Sequence, residues 1–458
     1  MKIREEITVG DVARKLDRVW ELSGRKLLRI REDFDVSLGA PVFTREGRYT
    51  TRGWTDWTQG FQFGSEILQF DATGERGHLE YARDATFRHM APHVTHTGVH
   101  DHGFNNVSTY GALRRLCLEG RIDAGAREIE YYELALKVSG AVQAARWSGT
   151  ADGGGYIHSF NGPHSLFVDT IRTVRVLALA DRLGHALLGE HDERLSLLGR
   201  LVQHGLATAR YNIYYGEGRD RYDVWGRTAH EAIFNRTDGR FRCPSSQQGY
   251  SPFSTWTRGL AWAMLGFAEE LEFLETVDDA ALEAHGGRAD IEAAFLRAAR
   301  ATCDFYIANT ASDGIPYWDT GAPQLHRLGD YTAVPADPFN PYEPVDSSAA
   351  AIGAQGLLRL GRYLERRGDA DAGRRYWLAG LTVADTLFQE PYLSTDPDHQ
   401  GLLLHSVYHH PNGWDHVPAG RSVPSGESSM WGDYHCRELA LYIGRVASGG
   451  RYYTFFGG

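Results

Sequence analysis

The sequence has only 4 cysteines in 458 residues, and no two of them form a CxxC pair. Cys117, Cys243, Cys303 and Cys436 lie far apart, which excludes a disulfide framework and a cysteine-based zinc site and suits free thiols in a reducing compartment. No apolar run approaches the length of a membrane span, and the start MKIREEITVGDVARKL lacks the apolar core of a signal peptide. The expectation is a cytoplasmic protein with no membrane partner. A basic excess is also missing. With 48 Lys and Arg against 59 Asp and Glu, the net charge of −11 argues against nucleic acid or a long sulfated glycan on the surface, while leaving room for one small acidic ligand in a local pocket. Standard site signatures fail too. Gly153–Gly155 is not followed by the Gly-Lys-Ser/Thr of a phosphate loop, no GxSxG elbow occurs, and HEAIF at His230 misses the second histidine of HExxH.

What is present is helical period from end to end, as in GDVARKLDRVWELSG, GHLEYARDATFRHM, EIEYYELALKVSGAVQAARW, DERLSLLGRLVQHGLATARY and ADIEAAFLRAARATCDFYI. β-Hairpin signals are few, no β-α-β alternation emerges, and the Gly- and Pro-rich pieces are spread between helices instead of marking one linker. The chain therefore reads as all-α and as one domain over 1–458. Aromatic content is high, with 11 Trp, 23 Tyr and 20 Phe, which suits stacking on sugar rings, although most aromatics in a large protein are core.

Six junctions combine small, polar and aromatic residues and then enter a small-residue-rich or apolar helix: WTQGFQFG, HDHGFNN, HSLFVDT, STWTRGLAW, VDSSAAAIG and SSMWGDYH. The spacing leaves room for a returning helix between successive junctions, so about six helical hairpins are expected. Stacked hairpins bury one continuous core, and six junctions facing one way form the rim of a closed (α/α)6 barrel, or toroid. Divergent repeats and long loops disfavour an open solenoid.

The candidate chemistry gathers at these junctions. THTGVHDHGFNN sets His96, His100 and His102 around Asp101, with His93 upstream. His96 and His100 have the spacing of a helical metal pair, but Thr97, Gly98 and Gly103 make the segment a loop, and such histidines more often donate hydrogen bonds; no metal is expected. Asp169 opens an apolar helix, where the ordinary reading is an acid favoured by the helix dipole. In a ring, however, Asp101 and Asp169 share one cavity, and paired carboxylates in different surroundings can be pushed apart in pKa. Arg258 stands between Trp256 and Trp262, four residues from the latter and on one helix face with it. That suits an anionic ring ligand, or equally a salt-bridged arginine on a Trp-rich core helix. Gln247 and Gln248 are hydroxyl-binding amides or turn residues, and Ser428 and Ser429 contact a ligand or, more ordinarily, cap the last helix.

Taken in order, WTQGF, HDHGF, VDT, HEAIFNRTDGR, QQGY, STWTRGLAW, DGIPYWD, VDSSAAAIGAQGLL and SSMWGDY resemble glycoside hydrolase family 88, the unsaturated glucuronyl hydrolases, and their unsaturated rhamnogalacturonyl relatives. The resemblance implies an (α/α)6 barrel, no cofactor, and a lyase-generated, unsaturated uronic-acid-containing oligosaccharide as partner. It implies Asp169 as general acid/base and Asp101 as the second essential carboxylate. Trp57, His100, His230, Gln248, Trp256, Arg258, Trp262, Ser428 and Ser429 fall at substrate-binding positions. The chain departs from the pattern at His102 and Leu260, at Arg172 and Arg175, where mostly apolar residues are expected, and in an apparent insertion over 211–227. The rival functions are a saturated-uronide glycosidase, a lyase or a sugar epimerase on the same fold, and a non-enzymatic helical-repeat binding protein.

Overall fold

A computed structural model describes residues 1–53 and 57–457 of the chain. Twelve helical rods alternate along the described residues between an outer and an inner position. The outer ones are α1 (Leu16–Asp33), α3 (Arg76–His89), α5 (Ala126–Ala145), α7 (Leu197–Tyr211), α9 (Arg288–Asn309) and α11 (Ala370–Leu387). The inner ones are α2 (Gln59–Thr73), α4, α6, α8 (Thr257–Leu274), α10 (Ser347–Arg366) and α12 (Met430–Ala447). Rod α4 runs through His102–Asn106, a π-turn at Val107–Gly111 and Ala112–Leu118, while α6 runs through Thr170–Thr173 and Arg175–Arg182.

Patterning decides which rod goes where. In α1 the buried positions Leu16, Val19, Leu22, Ser23, Lys26, Leu27 and Ile30 make one stripe, so one face meets the core and the other meets water. In α8 every residue is buried, as a rod surrounded by others requires. Small residues at the start of α10, SSAAAIGAQG, serve the same end.

The inner rods close on one another in the order α2, α4, α6, α8, α10, α12 and back to α2. Each seam has a glycine against the neighbouring rod. A Cβ at Gly60 would lie 2.3 Å from the Asn105 carbonyl oxygen, and one at Gly103 would lie 2.0 Å from that of Thr173. Gly266 faces Ile171 and Arg172, Gly356 faces Met264, Gly432 faces Ser348, and Gly64 faces Ser108 and Tyr434. The expected (α/α)6 barrel is the observed fold.

Strands are few and short. Hairpin β1 (Pro41–Arg45) with β2 (Arg48–Thr51) joins the last junction, through the Thr44 amide donating to the Ser428 carbonyl at 2.9 Å. The pairs β3 (Trp147–Gly149) with β4 (Gly155–Ile157), and β6 (Leu187–Leu188) with β7 (Arg194–Leu195), are small antiparallel clips. Strand β8 (Glu231–Phe234) lies antiparallel between β5 (Ser165–Phe167) and β9 (Phe241–Ser245), which fixes the approach to α6. Among the described residues no helix is long and apolar enough to cross a membrane.

Arg172 and Arg175, unusual in sequence, lie in the core. The Arg172 guanidinium donates to Glu269 at 2.9 Å and to Glu438 at 2.8 Å and meets His435 Nε2 at 2.8 Å; Arg175 lies 3.5 Å from Glu269, and Arg359 pairs with Glu272 at 2.6 Å. This buried lattice ties α6, α8, α10 and α12 together, and breaking one partner would leave an uncompensated charge. Segment 211–227 is an ordered loop. Asp223 accepts the amides of Gly216, Glu217 and Arg219, and Arg219 and Arg227 lie over the Tyr214 ring at 4.0 and 3.6 Å.

Overpacking a seam costs about 1–3 kcal/mol or more. Gly103→Ala is therefore expected to lower the urea denaturation midpoint markedly. Gly77→Ala in α3, where a Cβ meets nothing within 4 Å, should leave it equal or slightly raised. Equal midpoints for the two variants would contradict the seam.

Candidate active site

All six inner rods begin at the same end of the barrel, and the six sequence junctions are those beginnings. The starts of α2, α4, α6 and α8 line one cavity. Trp57 precedes α2, Asp101 stands at the N-cap of α4 and Asp169 at that of α6, while Trp256, Arg258 and Trp262 come from the start of α8. Converging helix N-termini favour negative charge in the space between them.

Neither Asp101 nor Asp169 caps its helix with its side chain. The backbone explains this: Asp169 is helical at φ −66°, ψ −23°, and Asp101 sits at −85°, 19°, whereas side-chain capping needs an extended residue. Their carboxylates are thus left for the cavity. Asp346 and Ser429 are extended, and both do cap, accepting amides of Ser348 and Gly432.

The His100–Asp101 corner is held from behind. The His100 carbonyl accepts from Gln143 Nε2 at 2.7 Å and from Thr173 Oγ1 at 2.8 Å, and Arg146 binds the carbonyls of Thr97, His158 and Ser159. His100 Nε2 lies 3.5 Å from Asp169 Oδ1 and 3.7 Å from Asp101 Oδ1, so one buried imidazole stands between two carboxylates contributed by different rods. Burial alone would lower the His100 pKa, but Asp101 and then Asp169 raise it. Burial raises Asp101, His100 opposes this, and Asp169 adds to it, leaving Asp101 above the usual carboxylate value. Burial acts upward on Asp169 too, yet the close approach of His100 outweighs it and holds Asp169 below its usual value. The two acids are thereby pushed in opposite directions.

The remaining wall is aromatic and hydrogen-bonding. Trp57 stacks on Trp431 with centroids 4.9 Å apart, and Trp262 meets Phe104 at 4.8 Å. His230 lies just behind the wall. Its Nδ1 accepts the Gln247 amide at 3.0 Å, so the proton is on Nε2, which is buried without a protein partner. Arg258 departs from the simple picture of an open carboxylate clamp. Its Nη atoms donate to Asp346 at 3.0 Å, Gln248 Oε1 at 3.0 Å, the Tyr408 carbonyl at 2.7 Å and the Val407 carbonyl. Its guanidinium faces the rings of Trp256 and Trp431 at 4.6 and 4.9 Å. Its charge reaches the cavity while its fork holds the wall together, and it leaves the Gln248 amide hydrogens free to donate.

Ser428 and Ser429, expected at the ligand, do not line the cavity. Ser428 Oγ donates to the Leu403 carbonyl at 2.7 Å, and Ser429 Oγ is spent on its cap. Sequence reading missed Arg52, Phe104, Phe160, Tyr408, His409 and Trp414, all of which line the cavity. The run YHHPNGWD carried a signal for three of them, but it lies well ahead of the last junction. Its return to the cavity is fixed by Asp415, which accepts the amides of Tyr408 and His409. His409 Nε2 lies 3.3 Å from the Asn412 amide nitrogen and its Nδ1 is buried without a hydrogen-bond partner, as is His100 Nδ1. His102 is a core residue instead: Nδ1 meets Ser139 Oγ at 2.8 Å and Nε2 the His96 carbonyl at 2.9 Å. Among the described residues no three His, Cys, Asp or Glu side chains are grouped as a metal ion needs.

No family model matches the chain. It is 25% identical over 410 residues to the unsaturated glucuronyl hydrolase of Bacillus sp. (strain GL1), covering 88% of this chain and 90% of that one. It is 23% identical over 390 residues to the unsaturated glucuronyl hydrolase of Formosa agariphila, covering 84% and 78%. The crystal structure of the unsaturated glucuronyl hydrolase from Bacillus sp. GL1 superposes with a TM-score of 0.66 at 22% identity, over 94% of this chain and 97% of that one. The chain is thus similar to these hydrolases in sequence along most of its length and shares the barrel fold.

Buried neutral histidines make stability depend on acid. Burial lowers His102 and His204 to about 3, while in the unfolded chain they titrate near the ordinary histidine value of about 6.5. The unfolded state therefore binds more protons as pH falls. Stability is full above about 6.5 and declines by about 1.4 kcal/mol per pH unit for each such ring down to about 3. Urea denaturation at pH 7 and pH 5 should show this loss, and His102→Gln should make it shallower. An unchanged slope in that variant would contradict the neutral ring.

Proposed function

We propose that the chain is a glycoside hydrolase that removes a 4,5-unsaturated uronic acid from the non-reducing end of lyase-generated oligosaccharides. The observation that carries this reading is the Asp101–His100–Asp169 cluster at the mouth of the (α/α)6 ring, walled by indoles and supported by likeness to unsaturated glucuronyl hydrolases. Trp57 and Trp262 supply faces for a sugar ring, and Gln248 supplies donors for its oxygens. The positive potential of Arg258 and of the inner helix N-termini suits a uronate.

In the proposed reaction Asp169 protonates C4 of the enol ether, giving an oxocarbenium-like centre at C5 that the ring oxygen stabilises. Water adds at C5 as Asp169 takes back a proton, and the hemiketal formed opens to release the remaining oligosaccharide. His100 holds Asp169 ionised in the open cavity, so the proton is drawn from the cluster as a whole. A uronate brought against the cluster disfavours a second negative charge on Asp169, and His100 is the adjacent proton holder. Asp101, raised by burial, orients substrate and Asp169 and balances charge as it develops. No step calls on a metal or an organic cofactor. Four free thiols, one of them exposed at Cys243, support a cytoplasmic location.

The test follows the ultraviolet absorbance of the conjugated double bond. Wild-type protein should bleach unsaturated oligosaccharides, and Asp169→Asn should lower kcat by about 10³-fold with an unchanged denaturation midpoint. Turnover near wild type in that variant, or no bleaching across a broad panel by wild type, would overturn the assignment.

A further inference from the structure

The cavity is continuous with an outer groove between the β1–β2 hairpin and segment 408–417, the two sharing Arg52, Tyr408 and Trp414. The carboxylate cluster lies on the cavity side of this passage and not in the groove. A uronic acid seated on the cluster is the terminal sugar, so the rest of the substrate must leave by a passage of this kind.

The groove has an unusual charge for this protein. Arg45 and Arg52 both line it, and among the described residues neither forms an ion pair. The other arginine of the hairpin, Arg48, is paired with Asp33, and Arg258 inside the cavity is paired with Asp346. The guanidinium carbon of Arg52 lies 3.5 Å from the centroid of the Trp414 ring, so the cation is anchored by its flat face. Among the described residues none bonds its N–H edges, the geometry that reads an oxyanion in bidentate fashion. Asp415 also lines the groove, but its two oxygens already accept the amides of Tyr408 and His409, and burial pushes its pKa up to about 6, which weakens its negative charge. His416 and the hydroxyls of Thr50 and Thr51 complete a polar floor opposite the Trp414 and Tyr408 rings. On a chain of net charge −11, two unpaired arginines on one wall of one groove point to an anion.

We propose that this groove is the subsite for the sugar next to the unsaturated uronic acid, and that Arg45 and Arg52 select a second sugar bearing an anionic substituent, a sulfate ester or a carboxylate. The inference rests on the function proposed above and adds the chemistry of the leaving group. Arg52 stacked on Trp414 reads the substituent nearest the cavity, and Arg45 reads one farther along the hairpin.

The test uses three unsaturated disaccharides whose second sugar is neutral, O-sulfated or a uronate, with initial rates taken from the loss of absorbance. The expected kcat/KM is about tenfold higher for at least one charged sugar than for the neutral one, and the advantage shrinks as salt is raised. The double variant Arg45→Gln/Arg52→Gln should bring the ratio close to one. Which charged sugar gains, sulfate or carboxylate, identifies the substituent. Equal kcat/KM for all three sugars in wild type, or an unchanged ratio in the double variant, overturns the subsite while leaving the hydrolase assignment standing. Absence of turnover on all three counts against the hydrolase assignment instead. The subsite is then judged by calorimetric titration of the same sugars into Asp169→Asn protein, where equal affinity for neutral and charged sugars overturns it.

Discussion

At every seam of the inner ring a glycine stands where a Cβ would strike the neighbouring rod, and at Gly60, Gly103, Gly266 and Gly356 the atoms it would strike include backbone. Side chains at a helix contact set the interaxial distance, so removing them lets rods approach more closely than ordinary side chains allow. Six such approaches close a ring of six rods, and the closed ring turns all six inner-rod N-termini to one end. The position of Asp101 beside Asp169 follows from this: Gly103, two residues beyond Asp101, sits against Thr173, four residues beyond Asp169. The seam that closes the ring also sets the distance between the two acids.

The barrel treats buried charge in two ways. At the inner rods' middle, Arg172, Arg175, Arg359, Glu269 and Glu438 neutralise one another within a lattice, and Arg172 meets two glutamates and a histidine at once. Such a lattice contributes less to stability than it costs to break, and its effect is to fix the mutual register of α6, α8, α10 and α12. At the mouth His100 Nδ1, His230 Nε2 and His409 Nδ1 are buried with no hydrogen-bond partner among the described residues. Unpartnered buried groups are destabilising, and native structures retain them where a ligand completes them. The contrast between a saturated lattice and an unsatisfied mouth separates scaffold from site within one barrel.

Much of this was legible in the sequence because helical period and junction composition are local signals. The six junctions, the alternation of outer and inner rods, and the meeting of Asp101 with Asp169 all follow from them. What was not legible depends on backbone dihedrals and on return paths. Asp169 and Ser429 both precede an inner helix, yet the helical dihedrals of Asp169 free its carboxylate for the cavity, and the extended ones of Ser429 commit its hydroxyl to a cap. No residue type at those positions announces the difference. Arg258 was readable as a cation at the site, but its bonds to the Val407 and Tyr408 carbonyls were not, because the loop that supplies them is placed by Asp415. Arg172 and Arg175 stand where mostly apolar residues are expected, and their partners in distant rods make them core residues.

The mouth imposes a condition on any acid catalysis carried out there. Helix N-termini and His100 both favour the ionised form of Asp169, which is the wrong form for giving up a proton. An uncharged sugar would enter without altering that balance. On the proposed reading a uronate adds a negative charge beside the cluster, which raises the proton affinity of Asp169. His100 Nε2, 3.5 Å from Asp169 Oδ1, is the adjacent proton holder. On the proposed reading the substrate's own carboxylate therefore arms the general acid. Selectivity for an acidic terminal sugar then resides in proton placement as much as in direct contact, consistent with an Arg258 whose N–H groups are turned to the wall.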